Sequence, residues 1–403
     1  MVRKKIWIVT ELFYPEETAV AFIFTRIANY LSGSYKVCVI CGPEYYDNKK
    51  RTFVDNVYVS EEIEIYRTKS LNLDKNSIIQ RTIKIIILSI RMFFLMNKKI
   101  SNNETVILST NPALLLLFVR FIKYYKKLQL HILVHDVFPE NAIPAKIFKN
   151  HKQIGFKIIK HFFDKAYASA DHLIVIGRDM KEIMSGKVNR FKKRPVISIV
   201  PNWSSPDKFD ITRSMIKNEK KIILQYAGNL GRVQGLIEIL DAFRLSNNKN
   251  LYLNFRGTGA LSSYIENFIA KYSLENISVN GSYSRNEENE ILSNCDIGLV
   301  SLSEGMYGLG VPSKSYHLLS AGKPILFIGE PETEISRIVL ENEIGWSLDI
   351  RNQNKIIEYF NSITSFDRNI LRIMGKKARF LAEKEYSEPQ ILKLLQTRIE
   401  EIK

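Results

Sequence analysis

Cysteine is scarce: Cys38, Cys41 and Cys295 are the only three in 403 residues, too few and too scattered for a disulfide framework, and no histidine is spaced beside them as a metal ligand would be. A reducing compartment, and hence the cytoplasm, is expected. No export is expected either. The charged start, Met1 to Lys5, runs directly into the short apolar stretch Ile6–Thr10, without a longer apolar region or a small-residue cleavage site. No long unbroken apolar run occurs either. The richest stretch, Ile78 to Met96, is interrupted by Arg81, Lys84 and Arg91, whereas an isolated spanning helix needs about 20 apolar residues, so no transmembrane segment is expected. The absence of a repeat or a low-complexity tract excludes solenoids and disordered tails.

What is present is a chain 45% hydrophobic and long enough for two cores. Lys and Arg number 58 against 42 Asp and Glu, and the net +16 is unevenly placed. Residues 1–206 hold 33 basic and 17 acidic residues, a difference of +16, while 207–403 hold 25 of each. A basic first half rich in Phe, Ile and Tyr suits an anionic membrane leaflet. Nucleic acid is the rival partner for such charge, but no nucleic-acid motif accompanies it. The stretch Ile78 to Lys99, apolar but studded with Arg81, Lys84, Arg91, Lys98 and Lys99, has the composition of a basic helix lying in a membrane interface, or of a core helix with charged ends.

Short β-branched runs alternate with longer amphipathic stretches, which predicts α/β architecture with parallel sheets. Strands are expected at Ile6–Thr10, Lys36–Cys41, Thr105–Ser109, Leu130–Val134, Leu173–Ile176 and Val196–Val200. After the proline-bearing linker Pro201 to Asp207 the pattern restarts at Ile222–Ala227, Leu251–Arg256, Ile277–Asn280, Ile297–Ser301 and Pro324–Phe327. The expected organisation is a doubly wound domain over 1–203, a second over 204–366, and closing helices over 367–403. Ligands of such sheets bind at the carboxyl ends of the strands, so the loops there hold the candidate site.

Four such loops carry chemistry. Gly228-Asn229-Leu230-Gly231-Arg232-Val233-Gln234-Gly235 opens a helix and offers backbone amides and Arg232 to a diphosphate, or is a plain glycine turn. Glu304 to Pro324 combines three glycines within residues 305–310 with Pro312, Ser313 and Lys314; helical spacing places Ser313, Tyr316 and His317 near one face, toward a ribose, with Lys314 toward phosphate. His135 and Asp136 end an apolar strand, where Asp136 would orient His135 for proton or charge work, or either residue would cap a turn. Glu16 and Glu17, in the loop Glu11 to Ala19 that follows the first strand and precedes a helix, are either a carboxylate pair or helix-start acids.

With these segments in place, Glu11 to Ala19, His135 to Glu140, Val200-Pro201-Asn202-Trp203, Tyr226 to Gly235 and Gly310 to Pro324 together resemble the family 4 glycosyltransferases, particularly bacterial capsule and O-antigen sugar transferases. The resemblance implies a GT-B fold and a retaining, metal-independent transferase without a cofactor. Its second domain would hold a nucleotide-sugar, UDP-linked, and its first a lipid-linked saccharide acceptor at the inner face of the membrane. It assigns Gly228, Asn229, Gly231, Gln234, Gly257 and Tyr283 to the donor, together with Tyr307, Gly308, Leu309, Gly310, Pro312, Ser313, Tyr316 and His317. Glu16, Glu17 and Thr18 fall to the acceptor, and His135, Asp136, Arg232 and Lys314 to catalysis. Two departures stand out. Asn229 and Gln234 occupy the family's usual Arg and Lys positions, so Arg232 or Lys314 would supply the charge, and the family's paired glutamates fall on Leu309 and His317. A nucleotide-sugar epimerase and a non-catalytic partner subunit share the fold and remain open alternatives.

Overall fold

A computed structural model describes residues 3–16, 18–44, 58–69, 78–209, 221–364 and 368–402. Glu17 and the expected boundary at 366–367 lie outside them. Seven parallel strands form the first sheet: β1 (Lys5–Thr10), β2 (Lys36–Cys41), β3 (Glu64–Arg67), β4 (Thr105–Ser109), β5 (Gln129–Val134), β6 (His172–Val175) and β7 (Val196–Ile199), in the order β3-β2-β1-β4-β5-β6-β7. Six more form the second: β8 (Ile222–Ala227), β9 (Leu251–Arg256), β10 (Ile277–Asn280), β11 (Ile297–Ser301), β12 (Ile325–Gly329) and β13 (Gly345–Asp349), in the order β10-β9-β8-β11-β12-β13. The central strands are near-continuous Val, Ile and Leu because helices cover both faces of each sheet. Two strands escape the sequence pattern. β3 and β13 are short, half-buried edges whose Glu, Arg, Ser and Asp blunt the exposed ladder and dilute the apolar signal.

In the first half the helices are α1 (Ala19–Ser32), α2 (Ile78–Lys99), α3 (Leu115–Lys126), α4 (Ile154–Ala168) and α5 (Arg178–Val188). α2 to α5 form one layer against the sheet, α1 the other. The second half contributes α6 (Leu236–Leu245), α7 (Ser262–Tyr272), α8 (Glu288–Ser293), α9 (Lys314–Ser320), α10 (Glu334–Glu341) and α11 (Gln353–Ser362), followed by α12 (Arg368–Glu385) and α13 (Glu388–Glu400). No helix among the described residues is long and apolar enough to cross a membrane. α12 packs on α9, whereas α13 returns to the first half, where Ile391, Leu392, Leu395 and Ile399 join the core formed by β1, β2 and α1. The chain thus crosses between the halves twice, side by side: Ser204 bridges Ser387, and the Ser204 hydroxyl donates to the Tyr316 carbonyl of α9 at 2.9 Å.

A third connection ties the halves through two helix starts. Glu334 at the start of α10 accepts from the Arg178 amide of α5 at 2.6 Å, and Asp179 of α5 accepts from the Glu334 amide at 3.1 Å. Each helix therefore receives its capping carboxylate from the other half, where the positive end of the helix dipole favours it.

At the amino ends of β5 and β6, His131 and His172 are fully buried with their Nδ1 atoms 3.1 Å apart. Burial pushes their pKa values down, to about 3 and about 4 respectively. Unfolding frees both to bind protons at the ordinary value near 6.5, so the stability they permit is complete above that pH. It falls as pH drops toward 4 and then 3, each contributing up to about 1.4 kcal/mol per pH unit. Urea unfolding at pH 7.5 and pH 5 should show the loss, and replacing both with Leu should flatten it.

Candidate functional site

Each sheet reverses its winding at one point, between β1 and β4 in the first and between β8 and β11 in the second. The loops after these strands face one another across a cleft of about 550 Å³. A cavity of about 590 Å³ at the opposite, amino end of the first sheet, lined by Lys4, Tyr35 and Gln129 among others, lies away from every loop singled out above.

The second half builds most of the cleft. β8 delivers Tyr226, Gly228, Asn229 and Gln234, and the loop after β9 approaches so closely that a Cβ on Gly257 would lie 2.0 Å from the Gly228 carbonyl oxygen. Gly257, at φ +137°, is the residue type that contact requires. Gly310, Pro312, Ser313, Lys314 and His317 line the facing wall. Lys314 is the unusual group. Its Nζ is buried, has no hydrogen-bond partner among the described residues and sits 3.3 Å from the centre of the Tyr226 ring, beside Gly228. Burial drives its pKa well below the ordinary lysine value. The Tyr226 hydroxyl donates to the Asn229 carbonyl at 2.8 Å and so fixes both the loop and the ring under the amine.

The first half contributes His135 and Asp136 from the end of β5. Both ring nitrogens of His135 are buried without a partner among the described residues, its ring stands edge-on to Phe24 with centroids 5.7 Å apart, and burial lowers its pKa to about 4. Asp136, which burial pushes upward, accepts from Asn111 at 3.3 Å rather than from His135. The expected orienting bond between the two is therefore not made; consecutive residues point apart. Backbone contact joins this loop to the other half: the Val137 amide donates to the Leu309 carbonyl at 3.2 Å.

Several expected site residues lie elsewhere. Arg232 is exposed and does not line the cleft, because the turn at residues 231–235 carries it outward, and Gly231 is absent from the lining too. Tyr316 shares a helix with Lys314 and His317, but the one-residue offset from His317 rotates it into the core against Tyr386, centroids 5.1 Å apart. Tyr307 reaches across to Glu182 of α5 at 2.6 Å, Gly308 at φ +67° lies where a Cβ would be 2.8 Å from the Asp179 carbonyl oxygen, and Leu309 is buried. Residues 307–309 thus contact the first half, while Met306 and Gly310 on either side of them line the cleft. Thr18 caps α1, accepting from the Ala21 amide at 3.3 Å. Glu16 is buried outside the lining; Ala19 takes its place there.

Sequence reading missed Glu288 and Arg285, which enter the cleft from the segment after β10 along with Ser282. Glu288 Oε2 lies 3.1 Å from His317 Nδ1. Burial pushes this carboxyl up, but His317, Arg285 and Lys208 outweigh it and hold the pKa below the usual value. A carboxylate is therefore present in the cleft although Leu309 supplies none. Arg285 stacks on Phe22 of α1, 4.0 Å from the ring centre, bridging the halves. The position after a strand's carboxyl end was the signal for both; their partners, 29 residues and further away in sequence, were not visible.

Comparison with known proteins agrees with this geometry. The family model for glycosyl transferases group 1 matches residues 207–381. The chain is similar to the probable glycosyltransferase WbjE of Pseudomonas aeruginosa, 34% identical over 322 residues that cover 78% of this chain and 79% of that one. Among solved structures, WaaG, a glycosyltransferase involved in lipopolysaccharide biosynthesis, superposes with a TM-score of 0.67 at 13% identity, over 98% of this chain and 99% of that one. Anabaena Alr3699/HepE in complex with UDP and glucose superposes at 0.68 with 10% identity, over 99% and 100%. The architecture is GT-B, and the chain belongs to the group 1 glycosyltransferase family.

Proposed function

We propose that this glycosyltransferase moves a sugar from a UDP-linked donor to a lipid-linked saccharide acceptor at a membrane surface, in cell-surface polysaccharide synthesis, with retention of configuration and without a metal. The observation that carries the donor assignment is the Lys314 amine, buried and without a hydrogen-bond partner among the described residues, at the cleft wall beside Gly228. An isolated buried cation is costly, and a departing diphosphate is the anion that would repay it with charge-assisted hydrogen bonds. In this reading Lys314 stabilises the charge that develops on the leaving diphosphate. His135 and Asp136 lie across the cleft, where the sugar meets an acceptor delivered by the first half. His317 and Glu288 offer an imidazole and a carboxylate to donor hydroxyls. The named relatives support the reading: HepE was solved with UDP, and WaaG acts in lipopolysaccharide biosynthesis.

A thermal-shift screen against UDP, GDP, CMP and their sugar conjugates tests it. A native-state ligand at a hundred times its Kd adds about 2.7 kcal/mol, so UDP or UDP-sugars should raise the melting temperature clearly. A second reading, a non-catalytic partner subunit, is favoured by the burial of Leu309 where the family carries a glutamate. No shift with any nucleotide would select it and overturn the transferase proposal.

A further inference from the structure

We propose that the outward face of the α2–α3–α4 layer is a docking surface for an anionic lipid bilayer. Large apolar side chains that the fold leaves in water are concentrated there. α2 exposes Ile83, Ile86, Ile90 and Phe94, a stripe at helical spacing, with Phe94 at 63%. α3 adds Phe121, Tyr124 and Tyr125, with Tyr124 at 86%. α4 adds Ile154, Ile158 and Phe162, with Ile154 at 76%, and Ile147 precedes it. The three helices are neighbours in contact, so these residues belong to one layer. A stretch of this size is more than the scattered apolar residues of an ordinary surface.

Charge chooses the partner. Arg91, Lys98, Lys99 and Lys127 are exposed along the same segment, as are Lys146, Lys149, Lys152, Lys157 and Lys165. The acidic residues between 82 and 165 are Glu104, Asp136, Glu140 and Asp164, and none is exposed. At the edge of the layer a groove of about 540 Å³ is lined by Tyr124, Lys127, Lys165, Lys192 and Lys193, and its one carboxylate, Asp171, is already bound to Lys123 and Lys193. Exposed isoleucines and phenylalanines with lysines around them fit an acyl region under anionic headgroups, each nearby Lys or Arg adding to the attraction. A second copy of the chain fits poorly, since a two-fold interface would set these cations against themselves with no carboxylate between. The surface extends well beyond α2, the helix whose composition suggested membrane contact. It rests on the proposed transferase only for its purpose: it would hold the acceptor side of the cleft near a bilayer that presents the acceptor.

Flotation of the full chain with vesicles of phosphatidylcholine alone, and of phosphatidylcholine with one third phosphatidylglycerol, tests the proposal. Binding is expected to the second and to weaken with salt. I154E/I158E/F162E should lower it about tenfold, and K149E/K152E/K157E should lower it for anionic vesicles. Both variants should keep the wild-type thermal shift with UDP, and Y264E/Y272E on α7 should bind vesicles as wild type does. Failure of wild type to float with anionic vesicles, or undiminished flotation of the isoleucine variant, overturns it. So does a dimer in solution that I154E/I158E/F162E dissociates, which would assign the face to self-association. Vesicle binding without any nucleotide shift would instead sink the transferase reading and leave the docking surface standing.

Discussion

Replacing Lys314 with Met is expected to lower turnover about a hundred- to a thousandfold, the scale seen when one preorganised charge-stabilising donor is removed. The same change should raise, not lower, the melting temperature of the ligand-free protein. The Nζ atom is buried against the Tyr226 ring with no hydrogen-bond partner among the described residues, so folding strips its water without returning a bond there. Such a group costs roughly 1–3 kcal/mol, and an isosteric apolar chain recovers that amount. The cation–π contact with Tyr226 offsets part of the cost, which is why the expected gain lies toward the lower end. Opposite signs on activity and stability separate a site residue from a structural one: a structural lysine would lose both. Turnover and UDP-induced stabilisation measured side by side decide it. A variant with normal turnover removes Lys314 from the mechanism, and a variant that is inactive but also destabilised assigns it to the fold.

Much of this arrangement was legible in the sequence. Strands such as Val106–Leu108 and Leu326–Ile328 are uninterrupted apolar runs because both faces are covered, and the rule that ligands meet carboxyl ends led to Gly228, His135 and the Pro312-Ser313-Lys314 segment. The failures have a common physical origin in tertiary choice. Helical spacing grouped Tyr316 with Ser313 and His317, but only the packing of α9 against α12 decides which of neighbouring residues turns to the core. Glycine content marked residues 305–310 as a ligand loop, yet glycine permits close approach to any neighbour, and here the neighbour of Gly308 is α5. Arg232 and Arg285 are equivalent in composition, and the turn geometry after each strand selects the second. Glu288 meets His317 across two elements that no local pattern connects.

Replacing Lys187 with Met is expected to cost about 3–5 kcal/mol of stability, the range for breaking a buried ion pair from one side. Lys187 is almost fully buried, and its Nζ lies 2.5 Å from Glu140, 2.6 Å from Asp164 and 3.0 Å from the Phe138 carbonyl. Burial holds its pKa below the ordinary lysine value even between two carboxylates, so the ammonium depends on both. Lys160 binds both Glu140 and Asp164, at 2.7 and 2.8 Å, and Arg190 binds Asp164 at 2.5 Å, but both sit at the rim and hold Glu140 Oε1 and Asp164 Oδ2, so Glu140 Oε2 and Asp164 Oδ1 face the vacated centre. Phe138 and Glu140 belong to the loop that presents His135 and Asp136 to the cleft, so this lysine anchors the first half's contribution to the site. Turnover should therefore fall further than the loss of folded protein explains, while UDP, whose proposed site lies in the second half, should still stabilise the variant. Adding Glu140→Gln to Lys187→Met removes one of the two carboxylates facing the vacated centre, leaving Lys160 and Arg190 to Asp164, and should restore part of the stability in urea unfolding. Additive losses in the double variant would show that Lys187 acts through packing alone, and the loop would then owe its position to the Val137–Leu309 backbone bond instead.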